Sequence, residues 1–399
     1  MRLLSTALGL PQHRFASIHV VGTNGKSSVT RMTAALLEAH GLRTGACVSP
    51  HAERWSERVL VGGEEVGPEQ FAAAVARAAR AAESVNRRLD EGEEVTQFEV
   101  ATAASFVALA EAGVDVAVVE AGLGGRLDAT NTIPSRVTVL TSIGLDHTEW
   151  LGETAPEIAA EKLAVLRDHT TLVRGRVSPE VAALAERTAS ERGAKLVVAP
   201  QDPGAAVELR APGAFQRRNF ALAAAAAETF HGDLDRELVA GVARALAVPG
   251  RLERVADDPP TLLDVAHNPD GAAALAEALP ELAAGRPVVA CMAVLADKDA
   301  RAMLVALAAA LTHVVASQLP TGADGPKSAE ISRFSARRPS VGAGELAALA
   351  REVGVEAEAV LDFPVAVARA RDFARKRGGI LLVTGSHYVL APARAALGL

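Results

Sequence analysis

The chain has 399 residues, a formal charge of −7, 49% hydrophobic residues and only 3% aromatic ones. That length exceeds one ordinary core and fits two domains, and the acidic balance excludes nucleic acid as the main partner, which would call for a basic face. Its two cysteines, Cys47 and Cys291, lie far apart in apolar stretches, so they form neither a disulfide framework nor a metal pattern and read as buried thiols of a reducing compartment.

The core must be built largely from Ala, Val and Leu, and the order of elements points to α/β. The runs "SIHVVG", "GACVS", "VDVAVVEAG", "RVTVLTSIG", "TTLVRG" and "KLVVA" read as strands, with helix-period segments at 27–40, 68–88, 98–112, 155–167 and 179–192. Runs without clean alternation imply strands buried on both faces, as in a parallel sheet covered by helices. A second series, "TLLDVAH", "PVVACMAVL", "THVVASQ" and "GILLVTGS", follows "AVPGR". Pro249 and Gly250 mark the expected hinge, since neither suits the interior of an element. The expected domains are therefore 1–248 and 249–399, both doubly wound, with 321–346 as a mobile surface loop. No apolar run reaches about 18 residues without a charge, Gly or Pro, and no signal-peptide layout is present, so a soluble, cytoplasmic protein without a membrane partner is expected.

Several stretches could carry chemistry. In "HVVGTNGKSSVT" a strand turns through Gly22 and Gly25 into a helix beginning near Lys26. That context aims backbone N–H groups and a helix N-terminus at an anion. The common phosphate-loop consensus would want Gly at position 20, where this chain has Val, so a plain strand-to-helix turn remains the alternative. "VDVAVVEAGLGGRLDATNT" delivers Glu120 at a strand end, followed by Gly122, Gly124, Gly125, Arg126 and Asp128. Ligands of open α/β sheets bind outside the carboxyl ends of the strands, and a carboxylate there suits Mg²⁺. Asp146 and His147 follow another strand end, with Lys162 on the next helix. Ser49, Pro50 and His51 follow a third. Glu99 and Thr102 start a helix, Gln216 and Asn219 precede an Ala-rich one, and Arg251, Asp264, His267 and Asn268 lie beyond the hinge. Taken singly, each suits a structural role as well.

Together these stretches resemble the folylpolyglutamate synthase/dihydrofolate synthase family, a branch of the Mur ligases. The resemblance rests on G-T-N-G-K, S-P-H, F-E-x-x-T, E-x-G-L-G-G-R-L-D-A-T-N, S-I-G-L-D-H-T-x-x-L-G, E-K, Q-x-x-N, G-R-x-E and D-x-A-H-N. It spans the chain from about residue 17 to "VTGSHYVLAPAR", and the glycine block is its most specific part. It implies an N-terminal ATP-binding domain of the Mur central type with a P-loop-like, mostly parallel sheet, and a smaller Rossmann-like C-terminal glutamate-ligase domain. The implied enzyme uses ATP to turn a carboxylate of dihydropteroate or (tetrahydro)folate into an acyl phosphate, which the α-amine of L-glutamate attacks.

Residue by residue, the resemblance implies ATP contacts at Thr23, Asn24, Gly25, Lys26, Asn219, Arg251 and Asp264, with the nucleotide bound across the hinge. Mg²⁺, as two ions, would be held by Ser49, Glu120, His147 and a carbamoylated Lys162. The pterin would lie against Thr96, Gln97, Phe98, Glu99, Leu127, Asp128 and Ala129, and His267 near the incoming glutamate. Lys26, Lys162 and His267 are the implied catalytic side chains, and a monomer is expected. The chain departs from the family pattern at G-K-S-S for the usual G-K-G-S, at Leu163-Ala164-Val165 after Lys162, and at L-D-V-A-H-N for L-D-G-A-H-N. Only 21 residues precede Gly22, too few for the UDP-substrate domain of cell-wall ligases; fewer pterin contacts, or a fragment, is the expectation. Another Mur-type amino-acid ligase and a non-catalytic nucleotide-binding module are the competing readings.

Overall fold

The computed structural model describes residues 1–204, 207–319 and 339–399. They divide into two compact units, one built mainly from Met1–His51, Trp55–Arg210 and Gln216–Leu246, the other mainly from Ala247–Leu399. Among the described residues, no helix is long and apolar enough to cross a membrane.

Among the described residues, the first unit holds eight strands: β1 (Ala16–Val21), β2 (Thr44–Cys47), β3 (Val59–Val61), β4 (Glu64–Glu65), β5 (Val116–Glu120), β6 (Val137–Leu140), β7 (Thr171–Arg174) and β8 (Lys195–Val198). Their order is β4-β3-β2-β5-β1-β6-β7-β8. All neighbours run parallel except β3 and β4, which form an antiparallel edge. Gly62 and Gly63 make the turn of that hairpin at φ +58 and +83, the left-handed pair that a two-residue loop requires. This Gly-Gly signal lies in the sequence, although the run "RVLVGGEEV" is too polar to read as a buried strand.

β1 lies at the topological switch point. The chain leaves it towards β2 on one side, while the later strands β6, β7 and β8 build outward on the other. Every residue of β2, β5 and β6 is buried, as the continuous apolar runs require. The edge strand β8 differs, since none of its residues is buried and Val198 is exposed. "KLVVA" is therefore not covered on both faces, because β8 is the edge strand of the sheet. On one side of the sheet Phe106 packs with Leu109, Ala117 and Val119 and meets Phe15 edge to face, ring centres 6.4 Å apart. Val21, Leu140, Ile158 and Leu163 are likewise fully or almost fully buried.

The second unit holds β9 (Glu253–Asp257), β10 (Pro260–Leu263), β11 (Val288–Met292), β12 (His313–Ala316), β13 (Glu356–Ala359) and β14 (Ile380–Thr384), in the order β13-β12-β11-β14-β10-β9. Only β9 runs antiparallel. Successive residues of β14 enter opposite cores, Leu382 with Leu275 and Met303, Leu381 and Val383 with Phe363 and Val367. That alternation defines a sheet wound on both faces.

Several expected boundaries shift. The helix expected over 155–167 ends at Leu163, so Lys162 sits in its last turn. The strand at "RVTVLTSIG" stops at Leu140, and residues 141–144 have no regular secondary structure. Of the mobile loop expected over 321–346, residues 321–338 lie outside the described residues. The remainder is ordered structure: Ser340 bridges Leu295, and a helix runs over Ala343–Glu352 with Leu346 and Ala347 buried. Leu346, Ala347 and Ala350 supply the apolar stripe, which the Gly- and Arg-rich composition upstream obscures.

Phe106→Ala removes a fully buried ring from the first unit. It should cost about 3–5 kcal/mol, read as a lowered urea midpoint; an unchanged midpoint would contradict the packing described.

Candidate functional site

The glycine turn after β1 is anchored from its neighbours. In the parallel register Val20 lies opposite Glu120 of β5, and Val21 opposite Leu140 of β6. The turn at 22–25 thereby lies over the carboxyl ends of three strands. Thr23 N–H donates to the Ser142 carbonyl at 2.8 Å. The Thr141 hydroxyl donates to the Asn24 carbonyl at 2.7 Å, and Asn24 N–H donates to Ser142 Oγ at 3.1 Å. Gly22 and Gly25 have φ +148 and +84. A Cβ at Gly22 would run into the Thr141 hydroxyl, and one at Gly25 would sit 2.6 Å from Asn219 Oδ1.

Gly25 then caps the helix Lys26–Ala39 without a side chain of its own to bond the first N–H groups, and a helix N-terminus is an arrangement that favours an anion. Lys26 Nζ bends back onto the Thr23 carbonyl at 3.0 Å. Asn219 is held from behind, its Nδ2 donating to Oε1 of the fully buried Gln216 at 2.9 Å. Gln216 is thus a positioning residue that the sequence singled out without a role.

Glu120 sits beside this turn, and its side chain is buried. The Ser27 hydroxyl donates to Oε1 at 3.0 Å, and Ser49 N–H to Oε2 at 3.0 Å. Ser27 also donates to the Ser49 carbonyl at 3.3 Å. Ser27 follows the lysine as in G-K-[ST], which was signal enough to find it. A hydroxyl and a carboxylate meeting at a phosphate-type loop offer hard oxygen donors, and among the described residues no three His, Cys, Asp or Glu side chains form a cation cage. That donor set fits Mg²⁺, which takes few protein ligands and completes its shell with water and substrate oxygens.

The "LGGR" turn docks on the end of the lysine helix. A Cβ at Gly125 would meet the Glu161 and Lys162 carbonyls at 2.8 Å, so only glycine allows this approach. Arg126 N–H donates to the Glu161 carbonyl and its guanidinium pairs with the Glu161 carboxylate, both at 3.1 Å. Lys162 is 4% exposed. Burial, and then the charge of Lys26, pull its ammonium down to about 7, against the opposing charges of Asp146, Asp128 and Glu161. Lys26, Asp128 and Asp146 are therefore each within electrostatic reach of Lys162. His147 takes a left-handed φ of +51, rare for a residue with a Cβ, and its Nε2 lies 3.8 Å from Asp146 Oδ1.

Other expected contacts have structural work of their own. Thr96 and Glu99 form a reciprocal capping box at the start of the helix Gln97–Ala112, and Phe98 packs where a Cβ on Gly122 would fall. Asp128 closes the glycine turn, Oδ2 accepting from Leu123 N–H at 2.8 Å and Oδ1 from Thr130 N–H at 2.9 Å. Ala129 is buried, whereas Leu127 is 90% exposed and can meet an apolar ligand. In the second unit Asp264 accepts from Leu252 N–H at 3.0 Å and Ala266 N–H at 2.8 Å. Burial raises its carboxyl pKa against the charges of Arg251 and His267. His267 lies 4.8 Å, ring centre to ring centre, from His387. Asn268 caps the helix Pro269–Ala283.

Gly25→Ala forces a side chain into the left-handed region and against Asn219. It should lower stability by about 1–2 kcal/mol and weaken ADP binding in calorimetric titration; wild-type values for both would refute the loop geometry.

The Mur ligase middle domain matches residues 20–174, and the Mur ligase glutamate ligase domain matches residues 250–387. Dihydrofolate synthase/folylpolyglutamate synthase of Mycobacterium tuberculosis is 37% identical over 358 residues, covering 78% of this chain and 72% of that protein. The solved structure of Mycobacterium tuberculosis folylpolyglutamate synthase complexed with ADP superimposes with a TM-score of 0.88 at 31% identity, over 100% of this chain and 94% of that one. A bifunctional folylpolyglutamate synthase/dihydrofolate synthase with Mn, AMPPNP and L-glutamate bound gives 0.81 at 28% identity, over 99% and 93%. With Mur ligase domains on both units and this degree of identity along their length, the chain belongs to the dihydrofolate synthase/folylpolyglutamate synthase family of Mur ligases.

Proposed function

We propose that this chain joins L-glutamate to a carboxylate of dihydropteroate or of a folate, as an ATP-dependent acid–amino-acid ligase. The observation that carries the reading is the Ser27–Glu120–Ser49 cluster beside the anchored glycine turn. In this reading the buried carboxylate and the hydroxyl beside the turn serve the terminal phosphates of the nucleotide.

In the proposed reaction a carboxylate oxygen of the acceptor attacks the γ-phosphorus, the bond to the bridging oxygen breaks, and ADP leaves. The α-amine of L-glutamate then attacks the acyl carbon, inorganic phosphate departs with the C–O electron pair, and the amine nitrogen gives up its proton. Thr23, Asn24, Gly25 and Lys26 bind the triphosphate, with Asn219, Arg251 and Asp264 as further nucleotide contacts. Lys26 supplies positive charge where charge develops on the transferring group. Ser49, Glu120, His147 and Lys162 are assigned to divalent cations, which supply Lewis-acid neutralisation of the phosphate oxygens. Thr96 to Glu99 and Leu127 to Ala129 are assigned to the pterin, with the exposed Leu127 side chain as an apolar contact. His267 is assigned to the glutamate side.

Lys162 is assigned a carbamate. A buried ammonium beside Lys26 is unfavourable, and its lowered pKa leaves free amine at neutral pH able to take up CO₂. The product is an anion, which relieves the repulsion from Lys26 and can ligate a cation. The monomer remains part of the proposal.

Phosphate release by the purified protein should require both L-glutamate and a pteroate or folate acceptor. Release with another acceptor only would favour a different Mur-type ligase, and no release at all a binding module. Glu120→Ala and His147→Ala should each lower Mg²⁺-dependent turnover by about 10²-fold or more; near-wild-type rates in either would remove that residue from the cation site. Lys162→Ala should lose activity and regain part of it with a short carboxylic acid, and full activity without CO₂ in the unrescued variant would eliminate the carbamate.

A further inference from the structure

At the amino ends of the first sheet's strands lies a cavity of about 650 Å³, within the size range of small-molecule sites. Its walls come from the residues that lead into β1, β6 and β7: Gln12 and His13 before β1, Arg136 immediately before β6, and Arg167 and Thr170 before β7, with Arg2 from the first helix. These are the amino ends of the strands whose carboxyl ends carry the glycine turn, so the six residues of β1 separate the two places by about 20 Å. None of the residues assigned above to nucleotide, cation, pterin or glutamate lines this cavity.

Its charge is one-sided. Arg2, Arg136 and Arg167 line it together with His13, and no carboxylate does. The Arg167 guanidinium is fixed in place, Nη2 donating to the Asn131 carbonyl at 2.6 Å, to Asn131 Oδ1 at 2.8 Å and to the Ile133 carbonyl at 3.1 Å. All of these partners are neutral, so the bonds hold the group without neutralising it. Burial, and then the charges of Arg192 and Arg2, lower its pKa, with Asp168 opposing. Asp168 is paired with Arg192 at 3.1 Å.

Polar groups are left over behind the floor. Ser5, Gln12 and Ser135 are at most 2% exposed. The hydroxyls of Ser5 and Ser135 and the Gln12 side-chain carbonyl have no hydrogen-bond partner among the described residues. Leaving a buried polar group unmatched costs about 1–3 kcal/mol, but these three atoms are sealed from solvent and so lie behind the cavity wall rather than facing a ligand. Arginine forks match phosphate and carboxylate oxygens alike.

We propose that this cavity is a second anion site, which binds a small molecule bearing a phosphate or carboxylate group between Arg2, Arg136 and Arg167. The site is separate from the ligase reaction and stands whether or not the assignment of the glycine turn holds.

The test is calorimetric titration of inorganic phosphate into the full chain saturated with ADP and Mg²⁺. Arg2→Glu and Arg136→Glu change exposed side chains and should each weaken phosphate binding at least about tenfold, or ~1.4 kcal/mol, with ADP affinity unchanged. Lys26→Ala should leave the phosphate affinity as in wild type, since it disturbs only the opposite strand ends. Loss of binding in Lys26→Ala combined with full binding in Arg136→Glu would overturn the proposal. Citrate titrated in the same way distinguishes the two sources: tighter binding of phosphate assigns the site to phosphates, tighter binding of citrate to carboxylates, and binding of neither would overturn the site altogether.

Discussion

The parallel pairing of β1 between β5 and β6 is the constraint on which the first unit's chemistry depends. A register fixed by Val20 against Glu120 and Val21 against Leu140 brings three strand ends level. A shift of one residue would turn Glu120 to the other face of the sheet and take the Thr141 and Ser142 hydroxyls away from the glycine turn. The register is secured by burial, since apolar residues on both faces leave few ways to slide. The ligand-facing groups therefore need little order of their own: the turn is held by hydrogen bonds from the β6 end and the carboxylate by the hydroxyl of the next helix.

Around that frame the electrostatics are arranged for an anion. Lys26 and Lys162 lie close enough for each to disfavour the other's charge, an arrangement that a polyphosphate or a lysine carbamate would relieve. The N-terminus of the helix Lys26–Ala39 adds partial positive charge in the same region. Acidic groups are kept from collapsing onto these cations by prior engagements. Asp128 is tied to the backbone of its own turn, Glu161 to Arg126, and Glu120 to Ser27 and Ser49. Several residues thus hold local structure with the atoms they would also present near a ligand, and their substitution would disturb both.

Much of this was legible in the chain. The Val-rich runs gave the parallel strands because a buried strand has no polar face to show. The glycine turns of "GTNGK" and "GLGGR" announced close backbone approach, which the side-chain-free contacts at Gly22, Gly25 and Gly125 now explain. The hairpin β3–β4 and the edge strands β9 and β13 escaped notice because edge strands carry polar residues, as the exposed Glu64, Glu65 and Glu356 do. The early end of the lysine helix was hidden because Leu163, Val165 and Leu166 continue an apolar pattern into the turn that follows.

The sequence by itself determined the α/β class, the two series of strands, the family and the candidate residues, because these follow from local periodicity and from motifs contiguous in the chain. Only the tertiary structure decided which residues meet. Ser27 with Glu120, Asn219 with Gly25, Thr141 with Asn24 and Lys162 with Gly125 are separated by tens to nearly two hundred positions, and the arginines of the second cavity come from three separate segments. Such pairings are fixed by strand order and register, which arise from the packing of whole elements and leave no imprint on the residues that they bring together.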